Sequence, residues 1–141
     1  MDITDQLHSF VQQYKIYIDK IYRMEGITPQ QACVLFAVPF DGISINELAN
    51  ELGLHISTMT RNIKRLEALD IVSREADDTD KRIAVIHISD NGKKLRDRIE
   101  QSYQSQLKTI IESGSIINPL EFANNIEALT WSIKRMSIVN E

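Results

Sequence analysis

The chain has 141 residues, of which 43% are hydrophobic and 26% charged, as is ordinary for a soluble globular protein. This length allows one compact domain with a sizeable core, or a smaller domain joined to an oligomerisation element. The net charge of −4 argues against a nucleic-acid partner, although a basic face on an acidic body remains compatible with one. No apolar run reaches the roughly 18 residues that span a bilayer, so we expect no membrane partner and a cytoplasmic location.

Cysteine and histidine are too few and too widely spaced for a metal site. Cys33 is the single cysteine, which excludes an intramolecular disulfide and fits a reducing compartment. The three histidines, His8, His55 and His87, lack metal-ligand spacing. We find no phosphate-cradling glycine loop and no nucleophile beside a base, so we expect neither a cofactor nor an enzyme activity. Cys33 is interpreted as a core residue in preference to a sensor, and His87 as a partly buried packing residue.

Two helices are predicted at the start of the chain. Residues 3 to 24 carry apolar side chains at spacings of three and four, which is typical of an amphipathic helix. The second helix is predicted after Thr28, which acts as the cap, with Pro29 in the first position and Gln31 in the third. The sequence that follows is apolar on most sides, so we expect a central core helix that ends near Pro39.

Residues 45 to 69 predict two amphipathic helices joined by a tight turn at Gly53-Leu54. Ser44 and Glu47 form an S-x-x-E capping box at the start of the first helix. The buried stripe of the second helix is expected to consist of Met59, Ile63, Leu66 and Leu69. The polar and basic residues between them are expected to face outward: Ser57, Thr58, Thr60, Arg61, Asn62, Lys64 and Arg65.

The outward face of this second helix favours DNA as a partner. It combines hydroxyl and amide groups with three basic side chains, and no acidic residue lies between Gly53 and Leu66. Such side chains suit base edges and phosphates in a major groove. A solvated face of a helical bundle remains the alternative interpretation.

A β-hairpin is predicted directly after the helix-turn-helix. Residues 71–74 and 83–88 are two short strands rich in β-branched residues, and residues 77–81 form a charged turn between them. We interpret the hairpin, about 71–88, as a wing, with an ordinary surface hairpin as the alternative.

The last part of the chain predicts two more helices. The first, a long connecting helix over residues 90–112, is capped by Ser89, and the last follows Asn118 and Pro119. The last helix carries apolar residues at spacings of four and three, which form a coiled-coil-like seam. The seam consists of Phe122, Ile126, Leu129, Ile133 and Met136. We therefore divide the chain into a winged helix-turn-helix domain at 26–112, with its recognition helix at about 55–69, and dimerisation helices at 1–25 and 113–141.

The terminal helices carry more apolar surface than a small winged domain needs. We expect them to form a dimer interface, and packing onto their own domain in a monomer is the alternative. The predicted dimerisation residues are Leu7, Phe10, Tyr14, Ile126, Leu129, Ile133 and Met136. The tyrosines at 14, 17 and 22 can equally line an effector pocket between the DNA-binding and dimerisation parts, or serve as core or interface residues.

This order of elements resembles the MarR family of bacterial transcriptional regulators, over roughly residues 28 to 96. The motifs that carry the resemblance are Thr28–Gln31, Glu47–Ala49 with Leu52–Leu54, Ser57–Arg61 with Leu66-Glu67, Asp80–Arg82 and Ser89–Gly92. The resemblance implies a mainly α winged-helix homodimer with a small β wing. Its expected partner is palindromic double-stranded operator DNA. Such a regulator usually acts as a repressor, and a small-molecule effector or oxidation releases it from the DNA.

In the wing, the resemblance assigns DNA contact to the D-x-R motif, with Lys81 and Arg82 as contact residues. Asp80 stands two residues before Arg82, so on a strand both side chains point to one side and Asp80 is expected to brace the guanidinium. The acidic residues at 77–80 weaken the attraction of this wing for phosphate.

Two further residues depart from the family pattern. His55 stands where the family often has serine, aspartate or threonine, which makes Ser57 an alternative start of the recognition helix. Cys33 lies in the second helix, whereas oxidation-sensing members usually keep their cysteine in the first. The runner-up function is a winged helix that binds proteins and not DNA.

Overall fold

The computed structural model describes residues 2–139, which fall into two compact units, 2–103 and 104–139. We call them unit 1 and unit 2. The helices are α1 (Ile3–Met24), α2 (Pro29–Ala37), α3 (Ile45–Glu51), α4 (Ile56–Ala68), α5 (Asp90–Ile110) and α6 (Pro119–Val139). The strands are β1 (Ile43–Ser44), β2 (Val72–Ala76) and β3 (Ala84–Ile88). No helix among the described residues is long and apolar enough to cross a membrane.

The capping residues predicted from the sequence set the starts of α2 and α3. The Thr28 hydroxyl accepts a hydrogen bond from the Gln31 backbone N–H at 3.2 Å, and the Gln31 side chain accepts from the Thr28 N–H at 3.0 Å. Ser44 and Glu47 form the equivalent capping box at α3. Both boxes satisfy backbone donors that the first helical turn leaves unpaired, and both predictions are confirmed.

The core of unit 1 forms around α2 and α4. Val34 and Leu35 of α2 are fully buried, in agreement with its prediction as a core helix. From α4, Met59 and Ile63 enter the same core with no exposed surface. The tight turn before α4 contains Gly53 at φ +62°, a left-handed conformation that glycine adopts without steric cost. The core residues thus fix the buried side of α4.

A three-stranded antiparallel sheet in the order β1-β3-β2 completes unit 1. The predicted hairpin is confirmed, with Val72 paired to Ile88 and Ala76 to Ala84. Strand β1 was not predicted, because two residues are too short to show strand periodicity. It pairs with β3 through Ile43 and Ile86, and so links the start of α3 to the wing.

Helix α5 is joined closely to the start of the wing. The Ser89 hydroxyl accepts a hydrogen bond from the Gly92 N–H at 2.9 Å, which confirms Ser89 as the cap, and donates one to the Asp70 carbonyl. A Cβ on Gly92 would lie 2.1 Å from the Ile71 carbonyl oxygen, so only glycine allows this close approach. Helix α5 ends at Ile110, two residues earlier than expected, and continues as a π-helical turn, Ile111–Ser115.

Unit 2 ends with α6, whose first turn is capped as predicted. The Asn118 side chain accepts a hydrogen bond from the Glu121 backbone N–H at 3.2 Å. No residue of α6 whose side chain is described is buried. The apolar seam is exposed throughout, from 39% at Ile126 to 68% at Met136.

Two residues of unit 1 that were expected to be buried are exposed. Cys33, expected in the core, is exposed, because the core side of α2 is occupied by its neighbours Ala32 and Val34. Leu69, expected in the buried stripe of the recognition helix, is 52% exposed because α4 ends at Ala68, before that turn is completed. His87 is half-buried and lies against Gly42, which agrees with its interpretation as a packing residue.

Candidate nucleic-acid interface

Helix α4 presents a polar and basic surface on the side opposite its buried residues. Ser57, Arg61, Lys64 and Arg65 are exposed, and Thr58 and Thr60 are half-buried. Arg61, Lys64 and Arg65 form no ion pair with any other residue between 2 and 139. These three cations are therefore available to a negatively charged partner. We call the residues Ser57, Thr58, Thr60, Arg61, Lys64 and Arg65 the α4 face.

Asn62 does not belong to the α4 face, which corrects the prediction that it faces outward. It is only 5% exposed, and its Nδ2 atom has no hydrogen-bond partner among the described residues. The spacing explains this position, since Asn62 follows Met59 by three residues and precedes Leu66 by four. Helical periodicity therefore places it within the buried stripe, although its polarity suggested otherwise.

The start of α4 is set by His55 and not by Ser57. His55 is the N-cap residue, and Ile56 is the first residue of the helix. The His55 side chain makes no capping hydrogen bond. The helix therefore begins where the tight turn and the core packing place it, without help from a capping side chain. The alternative start at Ser57 is thus wrong.

The tip of the wing is organised by the carboxylate of Asp77. Its Oδ2 atom accepts hydrogen bonds from the Thr79 hydroxyl at 2.6 Å, from the Thr79 N–H at 3.0 Å and from the Asp80 N–H at 3.0 Å. The Thr79 hydroxyl bond, followed by the backbone bonds, lowers the pKa of Asp77. Sequence analysis missed this role, although an aspartate two residues before a threonine is a recognised turn signal.

Asp80 contacts Arg82 through paired hydrogen bonds. Its carboxylate accepts from Arg82 Nε at 3.1 Å and from Nη2 at 3.2 Å, and also from the Arg82 backbone N–H at 3.0 Å. The bonds to the Arg82 side chain and backbone lower the pKa of Asp80. The Arg82 side chain remains 91% exposed. The guanidinium is therefore oriented while most of its surface is available to a partner.

The contact between Asp80 and Arg82 arises from a turn and not from strand alternation. Both residues precede β3, which begins at Ala84, so the expectation that they share one side of a strand was wrong. The Asp80 carboxylate also accepts a hydrogen bond from the Arg82 backbone N–H, and this bond holds it close to the Arg82 guanidinium. Asp77 and Asp80 are thus engaged within the wing tip, while Asp78 and Lys81 are exposed beside it.

The α4 face and the wing belong to the same compact unit. Helix α4 packs against β2, and an ion pair of 3.6 Å joins Glu67 of α4 to Arg74 of β2. The fold therefore holds the exposed cations of α4 and the exposed Arg82 on one structural unit.

The predicted dimerisation residues remain accessible within each unit. In unit 1, Leu7, Phe10 and Tyr14 are 39%, 47% and 40% exposed. Tyr14 also belongs to an aromatic cluster, where its hydroxyl lies 3.2 Å from that of Tyr103. Burial and this hydrogen bond raise the pKa of Tyr14. The Tyr17 hydroxyl, in the same cluster, has no hydrogen-bond partner among the described residues.

Comparison with known proteins finds a family model that matches part of the chain. Residues 25–83, which include α2, α3, α4 and β2, match the model of the MarR family. Over these residues the chain is similar to the MarR family. The match ends just after the wing tip and thus includes the whole α4 face together with Asp80 and Arg82.

Individual relatives and solved structures extend the likeness along the chain. The HTH-type transcriptional regulator MgrA of Staphylococcus aureus is 25% identical over 89 residues. That alignment covers 62% of this chain and 60% of MgrA, so it spans less than two thirds of the relative. A mutant of MepR from S. aureus superimposes with a TM-score of 0.79 and 20% identity, covering 94% of this chain and 99% of MepR.

A crystal structure of MepR in complex with DNA is also similar to this chain. It superimposes with a TM-score of 0.71 and 20% identity, and the match covers 94% of this chain and 98% of MepR. At this identity the structural likeness establishes the fold. It confirms the predicted mainly α winged helix-turn-helix with a small β wing.

Proposed function

We propose that this chain is a sequence-specific DNA-binding transcriptional regulator. The observation that carries the proposal is the unpaired, acid-free α4 face on the same unit as the exposed Arg82. Helices of this kind enter the major groove, where arginine contacts guanine and hydroxyl groups contact bases or phosphates. The name of MgrA, an HTH-type transcriptional regulator, and the DNA-bound state of MepR support this function.

The wing has a separate role in this proposal. A wing beside a helix in the major groove falls over the adjacent minor groove, which is narrow and electronegative in A·T tracts. Arginine is the favoured side chain to enter such a groove. We assign this contact to Arg82, with Asp80 as the residue that orients it and Lys81 as a neighbouring phosphate contact.

The regulator is proposed to act as a homodimer on palindromic operators. The support is the exposed apolar surface of α1 and α6, which a second copy would cover. A two-fold symmetric dimer places its recognition helices about 34 Å apart, so half-site centres are separated by roughly ten base pairs. We further propose that it represses its target genes and that a small-molecule effector relieves the repression. The support is the Tyr17 hydroxyl of the aromatic cluster, which is buried without a hydrogen-bond partner among the described residues and which a bound ligand would satisfy.

The test is selection of binding sites from a pool of random DNA duplexes, using the full chain. The expected result is enrichment of a two-fold symmetric site with the spacing given above. The matched control is a variant in which Arg61 and Arg82 are both changed to Ala, which should enrich no site. Failure of the unaltered chain to enrich any sequence would overturn the proposal.

A protein-interaction module is the second candidate function. The observation in its favour is the net charge of −4, which opposes binding to a polyanion. Such a module would bind random and selected duplexes with equal and very weak affinity. Sequence-dependent binding that weakens steeply with added salt would exclude it.

A further inference from the structure

The first residue of α4, Ile56, carries an aliphatic side chain that lies mostly outside the core. It is 53% exposed, whereas Met59 and Ile63 of the same helix have no exposed surface. A β-branched residue is also a weaker helix former than alanine or leucine. Neither core packing nor helix stability accounts for an isoleucine at this position.

Ile56 borders the α4 face at its N-terminal end. It precedes the exposed Ser57, and Thr60 lies one helical turn later on the same side. No acidic residue occurs in the sequence between Gly53 and Leu66, so the first turns of α4 carry only neutral and basic side chains. The structure therefore places an apolar side chain at one end of a surface whose charge suits DNA.

Resting on the proposed DNA-binding function, we propose that Ile56 determines specificity by contacting the methyl group of a thymine in each half-site. The N-terminal residues of a recognition helix are those that contact base edges in the major groove. Thymine is the base that presents an apolar group there, its C5 methyl, while the other bases present only donors and acceptors. An exposed aliphatic side chain in this position thus selects thymine by burying the methyl group.

The experiment replaces thymine by uracil, one position at a time, in the duplex selected by the unaltered chain. This exchange removes the methyl group and leaves the hydrogen-bonding groups of the base unchanged. We expect affinity to fall about fourfold at one symmetry-related position in each half-site, because burying one methylene-sized group contributes about 0.8 kcal/mol. Exchanges at the other thymines should have smaller effects.

Two variants at Ile56 connect this effect to the side chain. Ile56→Ala should bind the thymine and uracil duplexes equally, and Ile56→Val should retain part of the discrimination. The matched control is Leu69→Ala, because Leu69 is 52% exposed just after the other end of α4. That variant should discriminate thymine from uracil as well as the unaltered chain does.

The possible outcomes separate this inference from the proposed function. If the unaltered chain binds no duplex, the proposed function fails. If it binds but no uracil exchange weakens binding, or if Ile56→Ala still discriminates thymine from uracil, the role of Ile56 is wrong while the DNA-binding function stands. A change in oligomeric state in Ile56→Ala would show that a second copy covers this residue, which also overturns the inference.

Discussion

The two units of this chain differ in how far their apolar side chains are buried. In unit 1, residues from four helices and the wing, such as Leu35, Leu48, Met59 and Ile86, are fully buried in one core. In unit 2, the seam of α6 is exposed along its whole length. Unit 1 therefore gains the free energy of apolar burial within a single chain, and α6 gains little until another surface covers it.

The exposed surfaces differ as clearly as the cores. Unit 1 exposes cations on α4 that have no acidic partner among the described residues, whereas α6 exposes aliphatic and aromatic groups. A basic polar surface suits a polyanion, and a contiguous apolar surface marks a site of protein association. We therefore propose DNA contact for unit 1 and self-association for the seam of α6.

The largest effect is expected from a charge in the seam. Ile126→Asp or Leu129→Asp should dissociate the dimer and abolish operator binding together, because a carboxylate buried in such an interface has no partner and costs about 3–5 kcal/mol. Sedimentation and DNA binding by the same preparations measure both effects. Asn124→Asp, on the opposite side of α6 by helical position, is the control and should leave the dimer intact. A monomeric seam variant that still binds the operator tightly would separate the two functions.

The second largest effect concerns the wing. Arg82→Ala should weaken operator binding by about 1–3 kcal/mol, as expected for an arginine that enters a groove. Thermal stability should remain almost unchanged, because an ion pair exposed to solvent contributes little to folding. Binding titrations measure the operator affinity of this variant, and thermal melts measure its stability. A large fall in melting temperature would instead make Arg82 a structural residue.

Substitutions of acidic residues in the wing test whether Asp80 orients Arg82. Asp80→Ala should also weaken binding, although it removes a negative charge near DNA, because Arg82 loses its paired hydrogen bonds. Asp78→Ala is the matched control, since Asp78 is an exposed acid of the same turn, and it should strengthen binding slightly. If Asp80→Ala strengthens binding as Asp78→Ala does, Asp80 does not orient the guanidinium.

Substitutions within the α4 face are expected to have effects that differ in kind from one another. Arg61→Ala should reduce affinity for the preferred site by about 1–3 kcal/mol and relax specificity at one base pair. Lys64→Ala and Arg65→Ala should weaken binding to all sequences alike and reduce the slope of affinity against salt by about one phosphate contact each. Titrations of specific and random duplexes at several salt concentrations measure this difference. Unchanged affinity in all three variants would show that DNA binds to a surface other than the α4 face.

The smallest effect is expected from pH. The Asp80 carboxylate accepts hydrogen bonds from Arg82 only when it is ionised, and its pKa is lowered below the usual 3.8. A group with a lowered pKa makes its contribution above the unfolded value and loses it as pH falls through the folded value. The ratio of the affinities of the unaltered chain and Asp80→Ala should therefore stay constant from pH 8 to 5. A change in that ratio within this range would contradict the assignment.

Helix starts could be predicted from the sequence because capping is local. Thr28, Ser44 and Asn118 each satisfy backbone donors within three residues, so a short motif contains all the required information. The predicted hairpin and the buried side of α4 followed from periodicity in the same way. The D-x-R contact was anticipated by residue, although its cause is a turn and not a strand.

Burial at the edges of a helix face could not be predicted as well. Asn62 is polar, and Cys33 stands in an apolar stretch, yet Asn62 is buried and Cys33 is exposed. Helical spacing places Asn62 in the buried stripe, and the exposure of Cys33 depends on which elements cover α2, but residue type reports neither. Strand β1 was missed for a related reason, since its pairing with β3 is a long-range contact.

The most direct test of the account is sedimentation of the full chain with the selected duplex, at micromolar concentrations of protein. We predict a free dimer and a complex of two chains with one duplex, in which the half-site centres are roughly ten base pairs apart. A chain that sediments as a stable monomer, or that forms no complex with the duplex, would contradict it.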